Sequence, residues 1–409
     1  MNLTKTEEQL GISGGQPIRR TPFAPWPCYA QDEIDAVVQV LRSGRVNYWT
    51  GQITREFEQD YARLTETRYA VALANGTLAL EYALEAFGIG AGDEVITTSR
   101  TFIASASCVV LRGARPVFAD VDLVSQNITA ETISAVLTPR TRAIIAVHLA
   151  GWPCEMDAIM SLAAGRGIKV IEDCAQAHGA TFKGRPVGSF GDAAAFSFCQ
   201  DKIITTGGEG GMLVTNDEAV WAKVWSIKDH GKSHDAVYQR RHPPGFRWVH
   251  ESFGTNGRMT ESQAAIGRLQ LGKLTDWVAA RRANARVLDE GFAGIPGLRL
   301  TVPPDDVGHA YYRYYAFLDQ ERLRDDWDQV RVAEAITAEG IPCYGGSCSE
   351  IYREKAFVDA QLQPAARLPN AKRLGETSLC LLVHPTLSEA DMLDTCGAVK
   401  KVMRAAIRR

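Results

Sequence analysis

Apolar residues recur along this chain with two alternating periods. Over 31–43 they fall at Ile34, Val37, Val38 and Leu41, one face of a helix, and Gly44 follows as its stop. Thr54 is placed to cap a second helix whose Phe57, Tyr61 and Leu64 share a face. Short apolar runs then predict strands at 69–75, 94–98, 115–120, 142–148 and 168–173. Between them the pattern predicts helices at 77–87, 102–111, 129–137 and 155–165, the first closed by Gly88. Strands at 193–198 and 211–215 follow. Strands alternating with helices at this spacing predict an α/β fold with a mostly parallel sheet covered on both faces. In such sheets ligands bind beyond the carboxyl ends of the strands.

Residues 228–260 break the alternation. They form a long, basic, proline-bearing stretch with Lys228, Lys232, Arg240, Arg241 and Arg247, then Gly254-Thr-Asn-Gly-Arg-Met259. A loop of this length inside a compact domain is uncommon and often functional, although a solvated excursion reads the same way. A long helix is predicted over 261–286. From about residue 295 an α+β pattern follows, clearest in a strand at 311–318 and a helix at 327–339 ended by Gly340. A chain of 409 residues exceeds one comfortable core. The expected division is an N-terminal segment (1–30), a large α/β domain (31–270), and a linking helix with a smaller α+β domain (271–409).

Composition removes several classes of function. The net charge is −3 with no basic stripe, which argues against a nucleic-acid partner. No run of about 20 apolar residues predicts a membrane span, and residues 1–20 lack the apolar core of a signal peptide. The nine cysteines are scattered and none forms a C-x-x-C pair, so neither a metal site nor a disulfide framework is expected. They read as reduced thiols of a cytoplasmic protein.

Two residues carry the chemistry. Asp173 ends the predicted strand 168–173, and Lys202 lies just past strand 193–198 and before the glycines 207, 208, 210 and 211. A lysine and an acid at neighbouring strand ends are the fixed points of a pyridoxal phosphate site: the lysine forms a Schiff base and the acid keeps the ring nitrogen protonated. The turn at Gly76 and Thr77 opens a helix whose amides can face a phosphate. Alone it reads as an ordinary helix cap. Ser197 can add a hydroxyl, and Phe102 is either a ring stacked on the cofactor or a core residue.

These segments together resemble the sugar aminotransferases of the DegT/DnrJ/EryC1/StrS group. The matching stretches are Ala74-Asn-Gly-Thr-Leu-Ala-Leu, Val95-Ile-Thr-Thr-Ser-Arg-Thr-Phe-Ile-Ala, Val147-His-Leu-Ala-Gly, Glu172-Asp-Cys-Ala-Gln-Ala-His-Gly, Phe196-Ser-Phe-Cys-Gln-Asp-Lys, Gly208-Glu-Gly-Gly and Gly254-Thr-Asn-Gly-Arg-Met. The resemblance implies the fold type I architecture of pyridoxal phosphate transferases and a homodimer with shared active sites. It also implies that Gln176 contacts the cofactor's phenolic oxygen and that Asn256 reaches the phosphate bound by the other subunit. A branch of this group carries His where Lys202 stands and dehydrates sugars; lysine favours amino transfer, because it can both bind the cofactor covalently and move protons. The expected reaction moves an amino group from an amino acid, L-glutamate by analogy, to a keto group of a nucleotide-linked sugar, first choice a dTDP-4-keto-6-deoxyhexose. Arg240, Arg241, Arg247, Lys228 and Lys232 are candidates for its diphosphate, and His148 and His230 for the sugar. The rival expectations are a pyridoxal phosphate- or sugar-binding regulator without turnover, and another fold type I reaction such as a dehydratase, lyase or desulfurase.

Overall fold

The computed structural model describes residues 9–408; the first eight residues of the polar N-terminal stretch lie outside that range. In chain order the first half runs α1 (Gln31–Ser43), α2 (Ile53–Leu64), β1 (Tyr69–Leu73), α3 (Gly76–Ala86), β2 (Glu94–Thr98), α4 (Ala104–Leu111), β3 (Arg115–Ala119), α5 (Ala130–Ser134), β4 (Thr141–Val147), α6 (Met156–Ala163) and β5 (Lys169–Asp173). The two-residue strands β6 (Thr181–Phe182) and β7 (Arg185–Pro186) precede β8 (Ala193–Ser197), β9 (Gly211–Thr215), α7 (Glu218–Ile227) and α8 (His234–Tyr238). The long α9 (Glu261–Phe292) leads to β10 (Leu298–Leu300), β11 (Val307–Gly308), β12 (Tyr314–Leu318), α10 (Gln329–Ala338), β13 (Cys343–Tyr344), α11 (Lys355–Asp359), α12 (Pro369–Thr377), β14 (Ser378–Leu381) and α13 (Glu389–Ala406).

Seven strands form the main sheet in the order β1-β9-β8-β5-β4-β2-β3. β9 is antiparallel to both of its neighbours, and the other six strands share one direction. The expected α/β class and mostly parallel sheet are therefore present. The carboxyl ends of β1, β2, β4, β5 and β8 all open on one edge. A second, antiparallel sheet runs β10-β12-β14-β13.

The predicted stops hold because the backbone requires them: Gly44, Gly88 and Gly340 follow their helices at φ 66°, 71° and 90°, where a side chain is strained. Thr54 is a correction. The cap position of α2 is Gln52, and Thr54 is buried inside the first turn. Its hydroxyl donates to Glu261 Oε1 (2.6 Å), and the same carboxylate accepts the amides of Ile53 (2.7 Å) and Thr54 (3.2 Å). Glu261, at the start of α9, thus satisfies the open end of α2 from far along the chain. The interval 228–260 is also more ordered than expected, since it contains α8 and is tied by bridges of Asp229 to Asn256 and Lys232 to His250.

One core lies against the main sheet, where Tyr61 makes edge-on contacts with Phe57, Phe196 and Phe198. Truncating one of these phenylalanines to alanine costs about 3–5 kcal/mol. Another core gathers β12, β14, α10 and α13. α9 serves both: Ala264, Leu274 and Val278 pack in the first, and Ala285, Leu288 and Phe292 in the second.

Candidate active site

Asp173 is the last residue of β5 and is buried. Its Oδ2 accepts from Ser105 Oγ (2.7 Å) and its Oδ1 from the Ala175 amide (3.1 Å). Burial pushes its carboxyl up, against the pull of Ser105, the Ala175 amide and Lys202. A carboxylate desolvated in this way favours a cation beside it, and a protonated ring nitrogen is such a cation. That need is the physical test of whether the residues fit pyridoxal phosphate, and they do.

Lys202 follows β8 in a loop closed by the amide of Phe198 on Gly210 (2.8 Å). Its carbonyl accepts from Trp26 Nε1 (3.0 Å) and its amide donates to Cys199 (3.1 Å), so its backbone is pinned on both sides. Its Nζ lies 3.4 Å from the Tyr312 hydroxyl and 3.6 Å from Asp201 Oδ1. Gln176 is oriented by the amide of Ala150, which donates to its Oε1 (2.8 Å) and leaves Nε2 as the end able to donate to an oxygen. His178 supports the strand before the lysine, with Nε2 2.8 Å from the Ser197 carbonyl and Nδ1 2.8 Å from the Tyr61 hydroxyl. Burial lowers its pKa to about 4, so it is neutral.

The turn between β1 and α3 has the form of an anion cradle. Asn75 caps α3 and its Oδ1 takes the third helical amide, that of Leu78 (2.9 Å). The first two amides, Gly76 and Thr77, remain at the open end. Gly76 meets Ser197 closely: a Cβ on residue 76 would lie 2.7 Å from Ser197 Cβ and 3.1 Å from its Cα. The structure thereby brings Gly76, Thr77 and Ser197 together at the edge where Asp173 and Lys202 stand. Phe102, past the end of β2, is 68% exposed, which removes the reading of a core ring.

Other expected residues are placed differently. His148 is fully buried; its Nδ1 accepts the Cys154 amide (2.9 Å) and its Nε2 pairs with Glu172 (3.0 Å). It has no free polar atom for a substrate, which corrects the expectation of a sugar contact. Glu172 also accepts the amides of Gly188, Phe190 and Gly191, each at 2.8 Å. His148, Glu172 and Cys174 have potential metal-ligating atoms within 4.8 Å of one another, but the first two are already engaged in these bonds. Lys228 is another correction: it is fully buried, 3.0 Å from Glu58 and 3.8 Å over the Tyr48 ring. Lys232 pairs with Asp229 (2.9 Å), and Arg240 with Asp235 (3.1 Å) and Glu251 (2.6 Å). Arg241, Arg247 and His230 are exposed. Asn256 is exposed, and the next residue, Gly257, accepts the amide of Ala74 (2.8 Å).

The model of the DegT/DnrJ/EryC1/StrS aminotransferase family matches residues 27–400. The chain belongs to this family. It is 38% identical to GDP-perosamine synthase of Caulobacter vibrioides, over 86% of this chain and 91% of that one. It is 34% identical to dTDP-3-amino-3,4,6-trideoxy-alpha-D-glucose transaminase of Streptomyces venezuelae, over 90% of each. Among solved structures, an aminotransferase of Psychrobacter cryohalolentis superposes with a TM-score of 0.92 at 55% identity, covering 94% of this chain and all of that one. This member is an aminotransferase with the fold type I architecture, and its cofactor is pyridoxal 5′-phosphate. Among the described residues no helix is long and apolar enough to cross a membrane.

Sequence reasoning missed Ser105, Tyr312, Asp201 and Arg313. Ser105 sits one turn beyond Thr101-Phe102, and its hydroxyl is the one local signal available. Asp201 precedes Lys202 directly, and Tyr312 and Arg313 reach this pair only through packing of the second half of the chain.

Proposed function

We propose that this aminotransferase moves an amino group from L-glutamate to a keto carbon of a sugar linked to a nucleoside diphosphate. A 4-keto-6-deoxyhexose on dTDP is the first substrate to assay and its GDP counterpart the second. The observation that carries the reading is the meeting of Lys202, Asp173 and the Gly76 cradle at one sheet edge, within a chain of this family. Pyridoxal phosphate, when bound, supplies an electron sink for the charge left when a proton leaves an amine-bearing carbon. Lys202 Nζ holds the cofactor and moves that proton. Asp173 keeps the ring nitrogen positive. Gln176 Nε2 would donate to the ring oxygen, and Phe102 would offer a flat face to the ring. The amides of Gly76 and Thr77 and the hydroxyl of Ser197 take the phosphate, joined by Asn256 of the second subunit in a homodimer. Arg241 and Arg247, exposed and without an acidic partner among the described residues, are the better candidates for the sugar's diphosphate; Arg240 and His230 come after them.

The two cores joined by α9 support a division into a large and a small domain. Nine free thiols fit a reducing, cytoplasmic setting. The product's use would be an amino sugar for a surface polysaccharide or a glycosylated metabolite. The test has two stages. Addition of L-glutamate to the purified protein should bleach the visible band of the bound cofactor and raise the band of its amine form. A panel of nucleotide-linked 3-keto and 4-keto sugars, read by mass spectrometry, then identifies the acceptor. A cofactor band unchanged by every amino donor would favour a regulator and sink the proposal.

A further inference from the structure

We propose that Asp201 and Tyr312 form an anchor for Lys202 Nζ, holding it in place whenever it is not covalently engaged. The proposal rests on the assignment of Lys202 to the cofactor. Asp201 immediately precedes Lys202, and its two oxygens have different partners. Oδ1 faces Nζ at 3.6 Å. Oδ2 accepts from the Tyr312 hydroxyl and, at 3.3 Å, from Arg313 Nη2. The single hydroxyl proton of Tyr312 is therefore committed to Asp201, and a lone pair on its oxygen is left toward Nζ at 3.4 Å. The ring adds a second attraction, with Nζ 4.8 Å from its centroid. Direction follows from these facts: Nζ donates to the Tyr312 oxygen, and the Tyr312 hydroxyl donates to Asp201.

The surroundings fix the anchor and leave the lysine mobile. Tyr312 is buried, its amide donates to the Ala150 carbonyl (2.8 Å), and its carbonyl accepts from the buried Arg281 (3.3 Å). Ala150 also holds Gln176, so the anchor and the expected ring-oxygen contact share one support. The Lys202 backbone is pinned by Trp26 and Cys199, which leaves only its side chain to move. Contacts of 3.4–3.6 Å are long for hydrogen bonds, so Nζ is held without being locked.

A proton relay from Lys202 to Asp201 is the competing reading, and the charges oppose it. Burial works against the Asp201 charge, but Lys202, the Tyr312 hydroxyl and Arg313 outweigh it and keep the carboxyl below its usual range. Burial pushes the Tyr312 hydroxyl up. The carboxylate stays charged and the tyrosine stays neutral, which is how an anchor behaves. The other groups around Lys202 are Asp173 and the neutral His178 from the β5 side and Cys199 in its own loop; Arg281 acts on Asp201 from α9.

The test is the reactivity of Lys202 in full-length apoenzyme, stripped of cofactor with hydroxylamine. Limiting acetic anhydride is applied between pH 7 and 9 and the Lys202 peptide is quantified by mass spectrometry. Asp201→Asn should label Lys202 roughly sevenfold faster than wild type, the Coulomb weight of a unit charge at this separation in a water-like medium. Tyr312→Phe should move it the same way by a smaller factor. Arg313→Met removes a cation that competes for Asp201, so Lys202 should label more slowly than wild type. Local damage alone does not produce opposite signs in the two charge variants. Equal labelling in Asp201→Asn and wild type, or faster labelling in Arg313→Met, overturns the anchor. Borohydride reduction of each holoenzyme locates the cofactor. Cofactor on another lysine in the wild-type protein overturns the Lys202 assignment and the anchor with it; cofactor on Lys202 with unchanged labelling overturns the anchor alone.

Discussion

Gly76→Ala gives a quantitative test of the phosphate cradle. Gly76 opens α3 with an ordinary backbone, so alanine there meets no conformational penalty, and helix propensity alone would favour it by up to about 1 kcal/mol. Packing opposes it. The new methyl carbon would lie 2.7 Å from Ser197 Cβ, 3.1 Å from Ser197 Cα and 3.2 Å from the Phe196 carbonyl oxygen. Two of these three atoms are backbone of β8, which is held between β5 and β9 and cannot yield easily. Overpacking of this kind costs about 1–3 kcal/mol. The strain falls on the amides of residues 76 and 77 and on Ser197, so cofactor affinity should weaken by about tenfold or more, the equivalent of about 1.4 kcal/mol. Gly272 is the internal control: it lies within α9, and a methyl group added there would meet no neighbour within 4 Å. Gly272→Ala should therefore stabilise the protein slightly with cofactor affinity unchanged. Apoenzyme is titrated with pyridoxal phosphate by absorbance, and melting is followed with and without cofactor. Gly76→Ala should also lose part of the stabilisation that cofactor binding adds. An affinity within twofold of wild type for Gly76→Ala would refute the cradle and leave Gly76 as a helix cap.

Three further outcomes are expected. Asp173→Asn should retain the cofactor but lose most of kcat, because an amide does not stabilise a positive ring nitrogen; equal kcat would make Asp173 a structural acid. Lys202→Ala and an Asn256 variant severe enough to silence its own homodimer should recover part of the activity when their subunits exchange, since one site of each heterodimer carries neither lesion; no recovery in verified heterodimers rejects the shared site. The buried His178, His309 and His384 have pKa values lowered to about 4, 3 and 4. The unfolded chain binds these protons first, so their contribution is complete above about pH 6.5 and is lost as pH falls toward 4. Stability against denaturant, followed by circular dichroism, should therefore start to fall below about pH 6.5 and decline steeply toward pH 4, and His178→Gln should make that decline shallower.

The parts of the candidate site legible in the sequence are those set by local order. Asp173 and Lys202 are strand-end residues, and Gly76-Thr77 is a strand-to-helix turn; a hydrophobic run and its break locate all of them. What escapes depends on distant partners. Thr54 looks like a cap because a hydroxyl precedes a helical pattern, but Glu261 supplies the acceptor. His148 and Lys228 look available because they are polar and near strand ends or loops, yet Glu172 and Glu58 bury them as pairs. Asp201 is adjacent to Lys202, but nothing in its neighbourhood announces Tyr312 and Arg313, which arrive from the residues just before β12. Pattern locates the groups that chemistry needs; packing decides which remain free to act.

The single reversed strand of the main sheet has a consequence for synthesis. β1 ends in the turn proposed to hold the phosphate, yet it is an edge strand whose one neighbouring strand in the sheet is β9, with Leu73 opposite Gly211. Everything from α3 to β8 must leave the ribosome before β1 has a partner. Val71 and Leu73, fully buried in the finished protein, therefore wait unpaired through the translation of the intervening helices and strands. At about 5–20 residues per second that interval lasts on the order of ten seconds. The cofactor cradle is consequently one of the last features of the large sheet to close, and a nascent chain arrested before β9 should be unable to retain pyridoxal phosphate.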